Sequence, residues 1–307
     1  MADYDVIIVG SGLGGLTAGL FATRHGLSTL ILESNIPGGH LINIEKIEDF
    51  PGFPDGVAGY DLCPTVQRQA ADQGAEFQRA EVSSLEAQDR LWSVVTDEER
   101  HRGKAVIVAT GSQLKNLDVP GEEKLMGRGV SHCASCDGPL YNGQTVGVVG
   151  GGDSALQETL TLANYAERVL LFHDGEKFSG QQTYRQRVLD STNIMPRYRT
   201  VVDEVLGDDI VRGVRARELG SGKSADVELA GLFVYVGLQP NTAILRDLID
   251  LSDSGRVPTD SWMKTARDGL YAVGDIRQDS AAQAITSAGD GATAAIAAYR
   301  YIKENFP

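Results

Sequence analysis

Two cysteines separated by two residues give this 307-residue chain its most specific chemistry, in the segment Cys133-Ala134-Ser135-Cys136-Asp137. At that spacing the sulfurs can join within one helical turn. Such pairs commonly lower one thiol's pKa, which raises the thiolate fraction able to attack other disulfides. Asp137 stands where it can give and take the proton that dithiol–disulfide interconversion moves; a capping or surface carboxylate is its plainer reading. Zinc is the competing use of the pair, but a closed site needs two further ligands. Cys63 stands alone in sequence, and His25, His40, His101, His132 and His173 show no ligand spacing, so no metal site is expected.

Two glycine-rich turns are the second chemical feature. Gly10-Ser11-Gly12-Leu13-Gly14-Gly15 follows an apolar run at residues 4–9 and precedes a helical pattern at 16–25. In that context Gly10 makes the tight turn, Gly12 lets a pyrophosphate approach the backbone, and Gly15 lets helix and strand pack closely. The helix N-terminus then stabilises phosphate charge. A second apolar run, 28–32, ends in Glu33, whose carboxylate can accept hydrogen bonds from an adenosine ribose. The motif fits FAD and NAD equally. Gly150-Gly151-Gly152-Asp153-Ser154-Ala155 repeats the arrangement as GxGxxA, between a strand at 145–149 and a helix at 154–164, with a further strand at 168–172. Gly150, Gly152 and Ala155 are its motif positions.

The elements that must position these groups follow from hydrophobic periodicity. The runs just described make two βαβ units. Further strands are expected at 105–108, ahead of Ala109-Thr110-Gly111, at 232–236, and at 269–273, ahead of Gly274-Asp275. Asp275 can hydrogen-bond a ribityl or ribose hydroxyl, or simply cap a turn. Residues 283–301 are Ala-rich and favour helix. The length suits two domains.

Composition excludes several functions. A formal net charge of -14 argues against nucleic-acid binding, which needs clustered cations. The arginines 185, 187, 197 and 199 form one locally basic stretch, read as a solvated face or as a docking patch for an acidic protein. No segment reaches the roughly 20 apolar residues that span a bilayer. The first ten residues carry no basic region or cleavage site, and three cysteines are too few for a disulfide-stapled secreted fold, so a cytoplasmic location is expected.

The order of these motifs resembles that of the bacterial low-molecular-weight thioredoxin reductases over nearly the whole chain. The match runs through Gly10–Gly15 with Glu33, Gly38-Gly39-His40, Glu48-Asp49-Phe50-Pro51-Gly52, and Ala109-Thr110-Gly111. It continues through residues 129–138, which hold the cysteines, then Gly150–Ala155 and Gly274-Asp275. The resemblance implies an α/β fold of two Rossmann-like three-layer nucleotide-binding domains, the second inserted into the first. Residues 1–115 and 246–307 would form the FAD domain, and 116–245 the insert carrying the CxxC pair. It implies a homodimer with FAD held by Gly10, Gly12, Gly15, Glu33, Gly38, Gly39, His40, Gly111, Asp275, Gln283 and Ala284. It also implies electron flow through FAD and the Cys133–Cys136 disulfide to a protein disulfide such as that of thioredoxin, with a domain rotation between steps.

Three positions depart from the family pattern. His40 replaces a Gln, and Ala282 stands where an Arg usually precedes the Gln-Ala pair. Where NADPH-using members carry a His-Arg-Arg run and a further Arg, this chain reads His173-Asp174-Gly175-Glu176-Lys177-Phe178-Ser179. Asp174 would repel a 2′-phosphate, by roughly 3 kcal/mol at about 5 Å and an effective dielectric near 20 before screening, whereas it can bind a free 2′-hydroxyl. NADPH is therefore disfavoured. NADH, a ferredoxin acting on a pyridine-nucleotide-independent branch, and another nucleotide in the insert remain open as donors. A small-molecule dithiol oxidase running the chemistry in reverse is the rival activity.

Overall fold

A computed structural model describes residues 3–307, which divide into two compact units. One comprises the chain up to Gln113 together with Pro240–Pro307, and the other is Leu114–Gln239.

The first unit begins β1 (Tyr4–Val9), α1 (Leu13–Arg24), β2 (Thr29–Glu33), then α2 (Gly59–Asp72), β3 (Glu76–Arg79), β4 (Val82–Gln88), β5 (Leu91–Thr96) and β6 (Arg100–Val108). The sheet runs β3-β2-β1-β6-β5-β4. Strand β6 serves two partners: Ala105 to Val108 pair in parallel with β1, while Arg100 to Gly103 pair antiparallel with β5. Strand β1 reads as a continuous apolar run because both its faces are buried. Val6 and Ile8 pack on the helical side, Ile7 and Val9 on the opposite side.

The chain leaves this unit through β7 (Ser112–Leu114). The second unit contains α3 (Glu122–Leu125), β8 (Val130–Ser131), α4 (Ala134–Asp137), β9 (Thr145–Gly150), α5 (Asp153–Leu162), β10 (Arg168–Phe172), α6 (Gln182–Asp190) and β11 (Ile194–Arg197). A meander follows, β12 (Thr200–Leu206), β13 (Gly213–Glu218) and β14 (Ser224–Glu228), and then β15 (Gly231–Tyr235). Its parallel sheet has the order β11-β10-β9-β15-β8. Val146 and Val148 face α5 and α6 in one core; Leu170, Phe172, Leu232 and Val234 face the meander in another. A sheet with covers on both faces is the three-layer arrangement anticipated for this α/β fold.

Strand β16 (Leu238–Pro240), paired with β7, returns the chain. Then β17 (Leu270–Ala272) adds in parallel to β6, and α7 (Ala284–Asn305) packs along α1. Among the described residues no helix is long and apolar enough to cross a membrane.

Candidate active site: two glycine turns and a disulfide

The first glycine turn sits where β1 runs into α1. Gly10 has φ 99°, and a Cβ there would lie 2.4 Å from the Ala109 carbonyl oxygen, so both conformation and space require glycine. Gly15 is packed against the same turn, with a Cβ position 2.0 Å from Gly10 O. Gly12 differs. Its φ of -61° suits any residue, and no atom lies within 4 Å of where its Cβ would be. The fold does not demand glycine at position 12, and the space beside its backbone is open. Gly12 caps α1 without a side-chain hydrogen bond, so the first-turn N–H groups have no intrahelical acceptor. Open N–H groups of this kind can receive a pyrophosphate.

Other residues of the first unit converge on that turn. Glu33 Oε2 accepts hydrogen bonds from Ser11 N and Ser11 Oγ, both at 2.8 Å, and Oε1 accepts from Asn35 N at 3.0 Å. Ser11 is fully buried and fixes the carboxylate beside the loop; its place as a variable motif position hid this role. Gly38 bridges to Gly12, its N–H donating to Ser11 O at 2.9 Å, and brings Gly39 and His40 alongside. His40 Nε2 lies 2.6 Å from the Ser112 carbonyl, to which it must donate, and Ser112 Oγ donates to Asp275 Oδ2 at 2.9 Å. Gly111 precedes this pair, in a left-handed conformation with φ 63°.

Asp275 is itself held from behind. Arg277 and Asp290 form a bidentate pair at 2.7 and 3.1 Å, and Asp290 also accepts from Gly274 N at 3.1 Å. Gln283 caps α7 through a reciprocal bond pattern with Thr286, and Ala284 opens the helix. A Cβ at Gly14 would meet Ser287 O at 3.1 Å, which sets this first turn of α7 against the glycine turn. The convergence of open backbone, a ribose-type carboxylate and a second polar arm fits a long dinucleotide such as FAD.

The second unit repeats the device. Gly150 has φ 145°, and its Cβ would meet Tyr235 O at 2.4 Å and the buried Ala155 side chain at 2.8 Å. Gly152 matches Gly12: an ordinary φ of -86°, open space where a Cβ would stand, and an uncapped α5 behind it. At the end of β10 the His173 ring lies over Gly151, its Nε2 donating to Lys177 O at 3.0 Å. Asp174 is 74% exposed, with Oδ1 3.3 Å from His173 Nδ1. The fold also delivers a cation that the local sequence lacks. Arg199 donates its N–H to Gly175 O at 3.0 Å and places Nη1 3.2 Å from Glu176 Oε1. The stretch from residue 173 to 179 therefore meets an arginine, but one already ion-paired.

In the same unit Cys133 and Cys136 are joined in a disulfide. Cys133 is extended and Ala134–Asp137 forms one helical turn, with Cys136 N donating to Cys133 Sγ at 3.2 Å and Asp137 N to Cys133 O at 3.1 Å. Ser131 Oγ accepts from Cys133 N at 3.0 Å. Cys136 is exposed and Cys133 half-buried, so the pair can meet a partner. Among the described residues no three His, Cys, Asp or Glu side chains converge as metal ligands. Cys63 is buried, and burial pushes its thiol up to about 11, which keeps it inert at neutral pH.

Comparison with known proteins agrees with this geometry. The family model described as pyridine nucleotide-disulphide oxidoreductase matches residues 4–291. The thioredoxin reductase of Treponema pallidum is 35% identical over 300 residues, covering 98% of this chain and 97% of that one. The NADPH-dependent thioredoxin reductase 3 of Arabidopsis thaliana is 36% identical over 310 residues, covering 98% of this chain and 59% of that longer protein. Thioredoxin reductase of Lactococcus lactis superposes with a TM-score of 0.96 at 35% identity, covering 98% of this chain and 100% of that one. Two glycine turns, a CxxC disulfide and these near full-length likenesses together place the chain in the pyridine nucleotide-disulphide oxidoreductase family, as a flavin-dependent disulfide reductase of the low-molecular-weight thioredoxin reductase class.

Proposed function

We propose that the protein reduces the disulfide of a thioredoxin-type protein and that NADH is its electron donor. FAD is held by the first unit through Gly10, Gly12, Gly15, Glu33, Gly38, Gly39, His40, Gly111, Asp275, Gln283 and Ala284, and supplies two-electron transfer when bound. The nicotinamide nucleotide uses Gly150, Gly152 and Ala155, with Asp174 accepting from a ribose hydroxyl. One observation carries this reading. An open second glycine turn shares a unit with the disulfide, and β10 ends beside it in an exposed carboxylate.

The cysteine chemistry follows from the residues present. Two electrons and two protons convert Cys133–Cys136 to two thiols, and a thiolate of the pair then attacks a sulfur of the partner disulfide. The second thiol displaces the reduced partner and re-forms the Cys133–Cys136 bond. Asp137 holds and returns the proton at its carboxylate. The basic stretch gives less support to a ferredoxin donor, because Arg199 is ion-paired with Glu176 and Arg185 has its Nε buried.

Anaerobic bleaching of the flavin with NADH, NADPH and reduced ferredoxin in separate cuvettes tests the donor. Fast bleaching by NADH is expected; bleaching by NADPH alone, or by ferredoxin alone, would overturn the assignment. A substitution sharpens the test. Asp174→Arg removes one repulsive charge and adds an attractive one, together about 2 kcal/mol after screening at an exposed site. The NADPH to NADH ratio of kcat/KM should then rise about thirtyfold. Gly175→Arg is the wrong companion change, since a Cβ there would lie 2.7 Å from His173 Nε2.

A further inference from the structure

Behind the cysteine turn lies a polar group that the redox chemistry described so far leaves unused. The backbone N–H of Ala134, directly after Cys133, donates to Glu158 Oε2 at 3.1 Å and is also 3.1 Å from Tyr235 Oη. Tyr235 Oη donates in turn to Glu158 Oε2 at 3.4 Å. Ala134 is fully buried and Tyr235 nearly so, so this triangle lies beneath the turn rather than in open solvent. Burial and the Glu158 charge both hold the Tyr235 hydroxyl far above its ordinary pKa, which keeps it a donor at neutral pH.

The anchors of the triangle are rigid. Tyr235 ends β15, and its carbonyl oxygen closes against Gly150; Glu158 lies on α5, whose N-terminus is Gly152. The cysteine turn is thus fastened to the two elements that build the second glycine turn. A structural role alone could be filled by a neutral acceptor, yet the residue is a carboxylate. We propose that Glu158 is a positioning residue for the redox pair, fixing the start of the cysteine turn and holding the Cys133 thiol toward its protonated form, so that the pair is more reducing.

The physical argument concerns the reduced state. Cys133 Sγ receives one N–H of the turn, that of Cys136 at 3.2 Å, which favours a thiolate there. The Ala134 N–H is withheld from it by Glu158, and the carboxylate adds a negative charge one residue away. A thiol that resists deprotonation makes its disulfide a weaker oxidant and its dithiol a stronger reductant. The other ionisable groups around the pair are Tyr235 from β15, Asp137 and Tyr141 in and after the turn, and His132 before it. Burial and the Asp137 charge raise the Tyr141 hydroxyl, so it too stays neutral.

Glu158→Gln keeps an acceptor for Ala134 and removes the charge. In the full-length, FAD-loaded enzyme, reduced and titrated with iodoacetamide, the pH midpoint for alkylation at Cys133 should fall by about one unit. Against glutathione buffers the pair should shift about tenfold toward the dithiol, a potential about 30 mV higher than the native pair's. Unchanged flavin content and melting would show that the turn is intact; a profile and equilibrium equal to the native enzyme's in such protein would overturn the proposal. Tyr235→Phe gives an independent answer. It removes a donor to Glu158 while leaving the charge, so the midpoint should hold or rise, and a fall would count against the charge argument. Donor identity does not enter either measurement, so an error in the NADH assignment leaves this result standing.

Discussion

Cys133→Ser and Cys136→Ser should each lower disulfide turnover at least about a thousandfold while leaving the flavin bound. The magnitude follows from the chemistry, because each exchange needs one sulfur to attack and a second to resolve, and a serine hydroxyl does neither at neutral pH. Retention of the flavin follows from the division of labour between units. Every residue assigned to FAD lies outside Leu114–Gln239, whereas both cysteines lie inside it. Turnover with a protein disulfide is one readout; flavin absorbance after gel filtration is the other. Retained turnover in either variant would remove Cys133–Cys136 from the electron path. The two variants also separate the roles of the sulfurs, since the one that keeps the attacking thiol should trap the partner as a stable mixed disulfide.

How far the sequence reaches can be judged from particular elements. Strands β1, β9 and β10 were legible because both faces are buried and the apolar run is unbroken. Both glycine turns were legible because they follow such strands. The meander β12 to β14 was not, and its burial explains why. Only Val202 and Val205 of β12 are buried, a bulge interrupts the register between Val202 and Glu204, and no residue of β14 is buried. Cross-strand ion pairs fill its exposed face, Arg217 with Asp203 and Arg215 with Glu204 and Asp226. Apolar periodicity does not register such strands. Helix α1 begins at Leu13, three residues before the apolar pattern suggests, because Gly14 lies against Ser287 and Gly15 against Gly10 with their backbone and neither shows a hydrophobic side chain.

The site was legible where its residues are adjacent in sequence and illegible where the fold assembles them. Cys133, Cys136 and Asp137 announce themselves. Glu158 and Tyr235 lie 24 and 101 residues from Ala134, and nothing in their local sequence marks them as its partners. Arg199 is likewise invisible from the 173–179 segment, because β11 must first lie beside β10 to bring it there. An absent arginine run in sequence is therefore a weaker guide to donor choice than the charges that the sheet order assembles. At this site the assembled charges are Asp174 and Glu176 against Lys177 and Arg199, with Glu176 and Arg199 satisfying each other. Asp174 remains the exposed group at the strand end, which is why its substitution is the informative one.

Gly12→Val should abolish FAD binding and leave the first unit folded, and the reason lies in the contrast between two glycines of one motif. At Gly15 a Cβ would stand 2.0 Å from Gly10 O, so Gly15→Val must break the packing of α1 on β1 and unfold the unit. At Gly12 the backbone is extended, with φ -61° and ψ 175°, and a Cβ meets nothing within 4 Å. Valine there costs the fold only about 1 kcal/mol, the loss of a favourable N-cap residue. What it blocks is the approach of a pyrophosphate to the backbone N–H groups of α1. A loss of about 3 kcal/mol of binding would weaken FAD more than a hundredfold. The expected pattern is apoprotein that melts within a few degrees of native apoprotein and no longer acquires flavin colour on reconstitution. Native affinity in Gly12→Val would mean that the open space above this glycine is not where the dinucleotide lies, and the assignment of Glu33 and Gly38 to the same ligand would fall with it.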